Sequence, residues 1–425
     1  MKRYVSIHTF GCKLNQYESQ AMAENLGKFE VSFSSESADL FIINSCTVTS
    51  EAERKLRQLL RRLKAKNPGS LFIVVGCYSE LSPNDLKKLG VDVVLGVKEK
   101  RRIKSYVEHL LMEHSDDHEQ EFLTVTSSHE GRTRAYLAIE DGCINQCSYC
   151  RIRLARGSNI VSKPPELVRK EFEGLVRKGF KEIVLTGVNI GYYGFGEGHN
   201  LVDLLKELLK LPGDWRIRLG SVDPDTVDRH FLDLMAREKR MTRHIHLSLQ
   251  SGSDKILKSM KRNYTTRKYL AVVDEARSLD SRFSFTTDII VGFPGEERRD
   301  FEETMSIIEE VGFLKSHVFR YSNRPGTEAA ELKHQIRGEV KRERAKLVLE
   351  KAHNSRYLYL SRHIGKSNRV LIERVSSNWS SGYDEYYIPH RIAGTHEGFV
   401  YSPVSNLEGC EEVSDVEFHF GSMVH

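Results

Sequence analysis

Short apolar runs alternate with amphipathic stretches through the first quarter of the chain. Closely spaced apolar residues that end in small or polar residues predict buried strands at residues 3–10, 39–44, 71–75 and 91–95. Residues 15–28 and 50–66 have the period of amphipathic helices, and Ser50 and Glu53 stand at the spacing of a capping box. Strand and helix in alternation predict a parallel α/β domain over residues 1–114.

The same alternation continues through the middle of the chain. Further strands are predicted at residues 135–139, 182–186, 215–219, 244–249, 283–291 and 314–321. About six β/α units predict a partial (β/α)6 barrel over residues 129–360, with its active site at the carboxyl ends of the strands. The polar residues 115–128, rich in His, Asp, Glu and Ser, predict a linker in front of the barrel.

The last segment, residues 361–425, changes character. Strands are expected at residues 369–373 and 385–389 with turns between them, which predicts a small carboxyl-terminal β-barrel or related β-domain. Small barrels of this kind often bind oligonucleotides, and a structural cap is the alternative. The chain is therefore expected to be an α/β protein with three domains.

Composition and charge narrow the class of protein. The chain has 425 residues, of which 29% are charged and 39% hydrophobic, as in globular proteins. No apolar run approaches the roughly 20 residues of a membrane span and the first residues lead into a strand, so we expect a cytoplasmic protein without membrane contact. The net charge is only +5. Basic runs at residues 57–66, 98–104, 258–268 and 341–346 each suit a solvated helix face, but together they favour a nucleic-acid partner.

Three of the seven cysteines form a local cluster. Cys143, Cys147 and Cys150 fall within eight residues, close enough for one loop to reach several irons of an iron–sulfur cluster. Three protein ligands would leave one iron open to substrate, as catalytic metal sites leave a coordination position open. From spacing alone, a zinc site or three ordinary buried cysteines remain alternatives.

Three more cysteines each follow a predicted strand of the first domain. Cys12, Cys46 and Cys77 stand one or two residues beyond the strand ends. A single free cysteine is usually a small buried hydrophobe. The carboxyl ends of parallel strands share one edge of a sheet, however, so the repeated placement predicts a second cluster site with three protein ligands. The remaining Cys410 is treated as incidental.

Loops with glycine or serine follow the predicted barrel strands. They lie at residues 186–191, 250–253, 292–296 and 323–327. Glycine there lets the backbone approach a ligand, although a single glycine is more often only a turn. His244 and His246 alternate on one strand and are expected to pack or hydrogen-bond, not to bind metal. Asp288 lies in an apolar strand, where an unpartnered carboxylate is costly, so its role is either functional or structural.

These motifs resemble a known superfamily. The Cys-x-x-x-Cys-x-x-Cys loop after a short strand resembles the cluster loop of the radical S-adenosylmethionine enzymes. With both cysteine triads, the whole chain resembles the methylthiotransferases of that superfamily, whose last domain is a small RNA-binding TRAM β-barrel. Residues 9–19 (TFGCKLNQYES) resemble the branch that modifies threonylcarbamoyladenosine beside the tRNA anticodon, a likeness that depends on Lys13, Gln16 and Tyr17.

The resemblance implies two [4Fe-4S] clusters and S-adenosylmethionine as cofactors. The implied catalytic ligands of the radical cluster are Cys143, Cys147 and Cys150. Those of the auxiliary cluster are Cys12, Cys46 and Cys77. The residues implied to line the cofactor pocket are Gly187, Gln250, Ser251, Asp288, Gly292 and Pro294.

The implied reaction adds a methylthio group to C2 of N6-threonylcarbamoyladenosine at position 37 of tRNA. The reduced radical cluster would cleave S-adenosylmethionine to a deoxyadenosyl radical, a second S-adenosylmethionine would supply the methyl group, and the auxiliary cluster would hold the sulfur. The expected partners are the tRNA anticodon stem-loop and an electron donor such as flavodoxin or ferredoxin, with the enzyme a monomer. The alternatives are isopentenyladenosine in tRNA or a ribosomal-protein aspartate as the substrate, or an iron–sulfur protein that binds RNA without turnover.

Overall fold

A computed structural model describes residues 3–111, 121–127, 133–405 and 407. Residues 115–120 and 128 of the predicted linker lie outside this part, and so does Cys410. Within these ranges, no helix is both long and apolar enough to cross a membrane. The described residues form an amino-terminal α/β layer, an open parallel barrel and a carboxyl-terminal antiparallel sheet.

The amino-terminal layer has a five-stranded parallel sheet. Its elements are β1 (Tyr4–Thr9), α1 (Lys13–Asn25), β2 (Glu30–Phe33), β3 (Leu40–Ser45), α2 (Ser50–Lys66), β4 (Leu71–Gly76), α3 (Cys77–Leu81), α4 (Pro83–Lys87), β5 (Val93–Leu95), a 3-10 helix (Lys98–Arg102) and α5 (Ile103–Leu110). The strand order is β2-β1-β3-β4-β5. The four predicted strands are confirmed. The sequence did not predict β2, a short edge strand whose Ser32 and Phe33 are exposed and which therefore has no buried apolar run.

Helices cover both faces of this sheet. Leu40 and Ile42 of β3 pack in one core with residues of α1 and α5, and Phe41 and Ile43 pack in a second core with residues of α2. Because successive side chains of a strand point to opposite faces, a central strand between two layers of helices needs apolar residues at every position. The buried β3 fixes the sheet edge at which Cys46 follows it.

The middle region is an open barrel of parallel strands. Its elements are β6 (Arg134–Ala138), β7 (Glu140–Asp141), α6 (Ile152–Arg156), β8 (Val161–Ser162), α7 (Pro165–Arg177), β9 (Glu182–Thr186), α8 (Leu201–Leu209), β10 (Arg216–Leu219), β11 (Ser221–Val222), α9 (Arg229–Arg237), β12 (His244–Leu247), α10 (Asp254–Ser259), α11 (Thr266–Leu279), β13 (Ser284–Val291), α12 (Arg298–Val311), β14 (Lys315–Arg320), α13 (Glu328–Glu331) and α14 (Gly338–Ser361), with 3-10 turns at Ile190–Tyr192 and Pro224–Thr226. The six predicted strands are confirmed as β6, β9, β10, β12, β13 and β14.

The barrel wall consists of two arcs, β6-β9-β10 and β11-β12-β13-β14. A bridge between Ile217 of β10 and Met241, just before β12, connects them. Helix α1 packs beside the edge strand β6, and its Leu14 and Tyr17 join the core of the barrel. The opposite edge strand, β14, is half-buried along its whole length. The amino-terminal layer therefore borders the barrel directly.

The carboxyl-terminal sheet is antiparallel and curled. Its strands are β15 (Ser367–Val375), β16 (Trp379–Tyr383), β17 (Pro389–Ala393) and β18 (Phe399–Pro403), in the order β17-β16-β15-β18. The strand predicted at residues 369–373 lies within β15. The strand predicted at residues 385–389 is wrong, because residues 384–388 form the turn between β16 and β17.

The side chain of Asp384 organises that turn. Its Oδ1 accepts hydrogen bonds from the backbone N–H groups of Tyr386 (2.9 Å) and Ile388 (2.8 Å), as aspartate commonly does in turns. Tyr386 and Ile388 are buried against Leu314 and Tyr359. The apolar pattern of this stretch thus reflects packing between domains and not strand pairing.

This sheet covers the amino ends of the barrel strands. The guanidinium of Arg216, the first residue of β10, donates to the carbonyl oxygens of Arg369 (3.0 Å) and Tyr383 (2.9 Å). Ser284, the first residue of β13, donates to the carbonyl oxygen of Tyr386 (2.5 Å). The barrel is closed at this end, so its lumen opens toward the carboxyl ends of the strands, beside the cysteines.

Candidate active site

The first cysteine triad forms at one edge of the amino-terminal sheet. Cys12 precedes α1, Cys46 directly follows β3, and Cys77 begins α3 after β4. The strands β1, β3 and β4 are parallel neighbours, so these positions share an edge. Gly11, with φ +110°, approaches this point so closely that a Cβ there would lie 2.9 Å from Cβ and Sγ of Cys46. The three cysteines thus follow neighbouring strands at one edge of the sheet, as expected, and the cluster site that they would form stays a prediction.

Burial raises the pKa of two of these thiols, Cys46 and Cys77. Burial, with the neighbouring Cys77 and Cys12, raises the pKa of Cys46 to about 12. Burial also raises the pKa of Cys77, although the nearby cations Arg156 and Lys100 oppose the change. Thiolates are the ligands of iron, so a metal that binds here must displace protons.

The second triad lies on one loop between β7 and α6. Backbone hydrogen bonds join Cys143 N–H to Gly157 O (3.4 Å) and Cys150 N–H to Cys147 O (3.1 Å). Ser148 fastens the loop to the end of α10, because its N–H donates to Met260 O (3.0 Å). The three cysteines are half-buried, and burial raises the pKa of Cys143 to about 12.

Arg262 is a neighbour of this loop that the sequence did not predict. Its Nη1 lies 3.1 Å from Sγ of Cys147, and its Nη2 donates to Oδ1 of Asp223 (2.5 Å). Asp223 also accepts a hydrogen bond from Asn145, inside the loop, at 2.6 Å. The basic run 258–268 therefore supplies one buried cation to the cysteine loop. No motif around Arg262 distinguishes it from the lysines of that run.

The donor sets suit iron–sulfur clusters. Each site offers three free thiols. Among the described residues, no three His, Cys, Asp or Glu side chains converge closely enough to share a single metal ion. The thiolates of an iron–sulfur cluster bind different irons and need not converge on one atom.

A buried ion-pair network joins the two triads. Arg156, at the end of α6, donates to both carboxylate oxygens of Glu18 on α1 (2.9 and 3.0 Å) and to Oδ1 of Asn15 (2.8 Å). Lys100 binds the same carboxylate. Ala155, beside Arg156, packs against Cys77. These contacts hold the cysteine loop against the edge of the sheet that carries the first triad.

Glu53 makes a second contact between the layers. The N-cap of α2 is Thr49, whose hydroxyl accepts from Ala52 N–H at 3.1 Å, so the capping box predicted from Ser50 and Glu53 is wrong. Glu53 instead accepts hydrogen bonds from Arg151 (3.1 Å) and from Arg324, which lies in the loop after β14. A buried carboxylate needs hydrogen-bond partners. The two arginines provide them for Glu53, in place of the backbone N–H groups at the start of its own helix.

Asp288 lies on the inner wall of the barrel. Its carboxylate is 3.3 Å from Nε2 of His246, and about a third of its side chain (31%) is exposed. Burial opposes ionisation, but the neighbouring His246 outweighs it and holds the pKa of Asp288 below its usual value. Thr286 lies 2.9 Å from His244 and 3.0 Å from His246, so both histidines hydrogen-bond as expected.

Two of the predicted pocket loops adjoin this wall. Gln250 has φ +64° and its N–H donates to the carbonyl oxygen of Asp288 at 2.8 Å, and Ser251 is buried beside it. Gly187 follows β9, where an added Cβ would lie 2.4 Å from the Glu140 carboxylate. The group that lies closest to Gly187 is thus a protein side chain, that of Glu140.

The loop after β13 faces another element. A Cβ on Gly292 would lie 2.4 Å from Cγ of Lys341 on α14, and the N–H of Gly292 donates to the Glu296 carboxylate at 3.0 Å. Pro294 is buried in the same loop. The described contacts of Gly292 are thus with protein groups, and its place in a cofactor pocket stays a prediction.

The three residues that indicated the branch have different surroundings. Gln16 is buried. The hydroxyl of Tyr17 lies 2.8 Å from the Glu171 carboxylate and 2.6 Å from Nζ of Lys163, in a buried contact with the barrel. Lys13 is half-buried, and its charge interacts with residues of the barrel wall.

Family models and curated relatives match this architecture. Residues 138–308 match the radical SAM superfamily, and residues 4–96 match the uncharacterized protein family UPF0004. The threonylcarbamoyladenosine tRNA methylthiotransferase MtaB of Thermotoga maritima is 44% identical over 404 residues, 94% of this chain and 93% of its own length. The MtaB of Bacillus subtilis is 33% identical and covers 92% of this chain and 91% of its own.

The chain belongs to the radical SAM methylthiotransferases of the MtaB type. Methylthiotransferases of this family use S-adenosylmethionine and [4Fe-4S] clusters. One relative has another name: it is the tRNA-2-methylthio-N(6)-dimethylallyladenosine synthase of Fusobacterium nucleatum. It is 36% identical, and the match covers 87% of the present chain and 88% of the Fusobacterium chain.

Solved structures share the fold of this methylthiotransferase. The radical S-adenosylmethionine methyltransferase TsrM from Kitasatospora setae has a TM-score of 0.56 at 14% identity, with 77% of each chain covered. The cobalamin-dependent enzyme OxsB has a TM-score of 0.53 at 13% identity and covers 83% of this chain and 56% of its own. At such identities the likeness concerns the fold alone.

Proposed function

We propose that this enzyme adds a methylthio group to C2 of N6-threonylcarbamoyladenosine at position 37 of tRNA. The observation that supports this most is the pair of three-thiol sites, held together by the contact of Arg156 with Glu18. The names of the most similar relatives supply the substrate. A reaction that inserts sulfur and a methyl group at one carbon needs two reactive centres facing one cavity.

The two triads divide the cofactors between them in this proposal. Cys143, Cys147 and Cys150 would hold the radical cluster, next to S-adenosylmethionine. Cys12, Cys46 and Cys77 would hold the auxiliary cluster. When bound, these groups supply radical chemistry at an unactivated C–H bond, for which acid–base side chains have no usable proton.

The protein groups position the reactants. Arg262 donates to Cys147 and places a positive charge beside the cysteine loop. Asp288 is kept ionised by His246 and offers a hydrogen-bond acceptor in the lumen. The N–H of Gln250 donates to the carbonyl oxygen of Asp288, so the two residues adjoin on the same wall. The carboxyl-terminal sheet covers the far end of the barrel, where Arg216 and Ser284 bind its backbone.

A groove beside the open edge of the barrel carries cations that suit the tRNA backbone. It has a volume of about 820 Å³, and Arg320 of β14 and Arg342 and Lys346 of α14 line it together with Glu350 and the apolar Ala345 and Leu349. An adjoining groove of about 240 Å³ shares Arg320 and Arg342 and reaches the start of α2. Phosphates neutralised there would leave the single-stranded anticodon loop next to the lumen, where an unstacked base enters at low cost.

Three further features belong to the proposal. The enzyme acts in the cytoplasm, where its tRNA substrate is found. It works as a monomer, and a flavodoxin or ferredoxin supplies its electrons. The predicted domain limits of residues 1–114, 129–360 and 361–425 are part of the same proposal.

Mass spectrometry of tRNA nucleosides from cells with and without the gene tests the substrate. We expect loss of the methylthio derivative of threonylcarbamoyladenosine and accumulation of its parent. A gene copy that encodes Cys46→Ala serves as the control and should not restore the product. If dimethylallyladenosine loses its methylthio group instead, the substrate named for the Fusobacterium relative is correct. Unchanged tRNA would overturn the proposal.

A further inference from the structure

The described part of the chain ends where β14 begins and α14 ends. Leu407 packs against an apolar cluster that contains Leu314, which directly precedes β14, and Leu360, the last but one residue of α14. Residues 408–425 follow this point in sequence and lie outside the described part. They therefore start from the junction of β14 with α14.

A groove leads from this junction to the mouth of the lumen. Helix α14 packs on β14 and lines the groove from Asn354 back to Arg342, and Arg320 at the end of β14 completes it. Leu360 lies by Leu314 and Arg342 lies by Arg320, so the helix and the strand are antiparallel. The groove thus runs in the direction of β14 toward its carboxyl end, the side on which the lumen opens.

The groove follows the edge of the strand. In the part of the chain that the structure describes, β14 is the last strand of its sheet. The adjoining groove of about 240 Å³ is lined by the consecutive residues 318–322. Successive side chains of a strand point to opposite faces, so a groove lined by consecutive residues runs along the edge. The site therefore suits an extended segment.

The groove combines cations with apolar groups. Arg342 and Lys346 are exposed, and the apolar Ala345 and Leu349 lie beside them. Arg342 pairs with no carboxylate among the described residues, and the partner of Lys346 is Glu350, at 3.9 Å on the same helix. A ligand with both carboxylates and apolar side chains would complement this lining in charge and would also bury its apolar surface.

Residues 411–420 (EEVSDVEFHF) have this composition. They carry four carboxylates, and residues 408–425 contain no Lys or Arg. Apolar and polar residues alternate over residues 416–420, which is the period of an extended segment. At about 3.3 Å per residue, residues 408–420 can span about 43 Å, whereas β14 spans about 20 Å. The segment is therefore long enough to follow the groove from Leu407 to its far end.

We propose that residues 411–420 occupy the groove between β14 and α14, and that the tRNA backbone must displace them. Their carboxylates would pair with Arg342 and Lys346, and their apolar side chains would pack on Ala345 and Leu349. The displacement rests on the proposed function, in which the same cations meet tRNA phosphates, whereas the docking does not. The segment is then an internal competitor of RNA at the mouth of the lumen.

Carbodiimide cross-linking of the full chain tests the docking, because this reagent joins an amine to a carboxylate in contact with it. Mass spectrometry should find links from Lys346 to carboxylates of residues 411–417, and Lys346→Met should lose them. The link from Lys346 to Glu350 on the same helix is the internal positive control. Lys333→Met, which removes an exposed lysine outside the groove, should leave the links to residues 411–417 unchanged.

An equal mixture of unlabelled and 15N-labelled chains shows whether each link lies within one chain. We expect links within one chain. Links between chains alone would assign the groove to a second copy. Links of residues 411–417 to Lys366 alone, which directly precedes β15, would place the segment on the carboxyl-terminal sheet. Either result, or the absence of any link from Lys346 to this segment, overturns the inference.

An anticodon stem-loop added to the same reaction tests the displacement. The links from Lys346 to residues 411–417 should disappear as RNA saturates the enzyme, while the link between Lys210 and Glu207 on α8 stays constant. The variant Glu412→Gln, Asp415→Asn, Glu417→Gln should bind the stem-loop about 3- to 10-fold tighter at low salt, and less so at high salt.

Undiminished links at saturating RNA, or equal affinity of this variant and the wild type, would overturn the inference. Absence of methylthio product with the wild type refutes the proposed function separately, because the cross-links in the absence of RNA do not depend on turnover.

Discussion

The two cysteine triads are built in opposite ways. Cys12, Cys46 and Cys77 are distant in sequence and meet only because three parallel strands end at one edge. The other three lie on one loop, which hydrogen bonds fasten to α10 and to Gly157. The first site thus depends on the fold of a whole sheet, and the second depends on one loop and the contacts that fasten it within the barrel. Damage to the sheet should empty the first site and spare the second.

The largest effects should come from removing the ligands themselves. Cys147→Ala should abolish both S-adenosylmethionine cleavage and methylthio product, because it destroys the radical site. Cys46→Ala should abolish the product but leave uncoupled cleavage, because the loop is untouched. Chromatography of 5′-deoxyadenosine beside the nucleoside product measures both. Full product from the Cys46 variant would show that this cysteine is no sulfur-site ligand.

The next largest effect should come from breaking the ion pair of Arg156 with Glu18, which joins the two triads. Arg156→Met leaves the buried Glu18 with fewer cations, and breaking such a pair costs about 3–5 kcal/mol of unfolding free energy. Urea unfolding of the metal-free protein measures the loss. The double variant Arg156→Met, Glu18→Gln should be less destabilised than Arg156→Met alone, and a double variant at least as unstable would contradict the ion-pair account.

The same pair predicts a pH dependence. Burial opposes ionisation of Glu18, but Arg156 and Lys100 outweigh it and lower its pKa to about 2 from an ordinary 4.5. A depressed carboxyl pKa stabilises the folded state above pH 4.5, and that contribution is lost as the pH falls from 4.5 toward 2. Glu18→Gln should flatten the stability of the metal-free protein in this window. An unchanged pH profile would mean that Glu18 is not held ionised.

Replacing one glycine beside each triad compares the two sites directly. Gly11→Ala strains a backbone at φ +110° and meets Cys46 at 2.9 Å, whereas Gly157→Ala strains φ +99° with nothing within 4 Å. We expect Gly11→Ala to lower the free energy of unfolding by about 1–3 kcal/mol and to lose the iron of the auxiliary site. Gly157→Ala should be destabilised by the backbone strain alone and should keep its iron. Iron content and thermal melting measure this. Equal iron loss in both variants would refute the difference between the triads.

The smallest effect should come from Arg262. Arg262→Met removes the hydrogen bond to Cys147 and the ion pair with Asp223, and leaves all six thiols in place. We expect about a tenfold slower S-adenosylmethionine cleavage and a changed electron paramagnetic resonance spectrum of the radical site only. Arg262→Lys should restore part of the rate. A changed spectrum of the auxiliary site would show that the two triads are not independent.

The sequence predicted what depends on periodicity and missed what depends on tertiary contacts. The apolar runs predicted the strands that bring Cys12, Cys46 and Cys77 together. The role of Glu53 could not be predicted, because Arg324 is distant in sequence and local spacing suggested a capping box. The strand predicted at residues 385–389 was wrong for a similar reason. Tyr386 is apolar in pattern because it packs against the barrel and not because it pairs in a strand.

Lys13 shows the limit of sequence comparison. Its presence beside Cys12 indicated the branch but not what the side chain does in the fold. In the folded chain it is half-buried at the start of α1, directly after Cys12. Tyr17 indicated the branch equally well, yet it forms a buried contact with Glu171 between the layers. Similar branch markers thus differ in physical role.

The most direct test of the central claim uses purified enzyme loaded with both clusters. It is incubated with S-adenosylmethionine, a reductant and an anticodon stem-loop that contains N6-threonylcarbamoyladenosine, and the nucleosides are analysed by mass spectrometry. We predict that a methylthio group appears on this nucleoside with the wild type and with neither Cys46→Ala nor Cys147→Ala. Product on a dimethylallyladenosine stem-loop alone, or no product on either, would contradict the account.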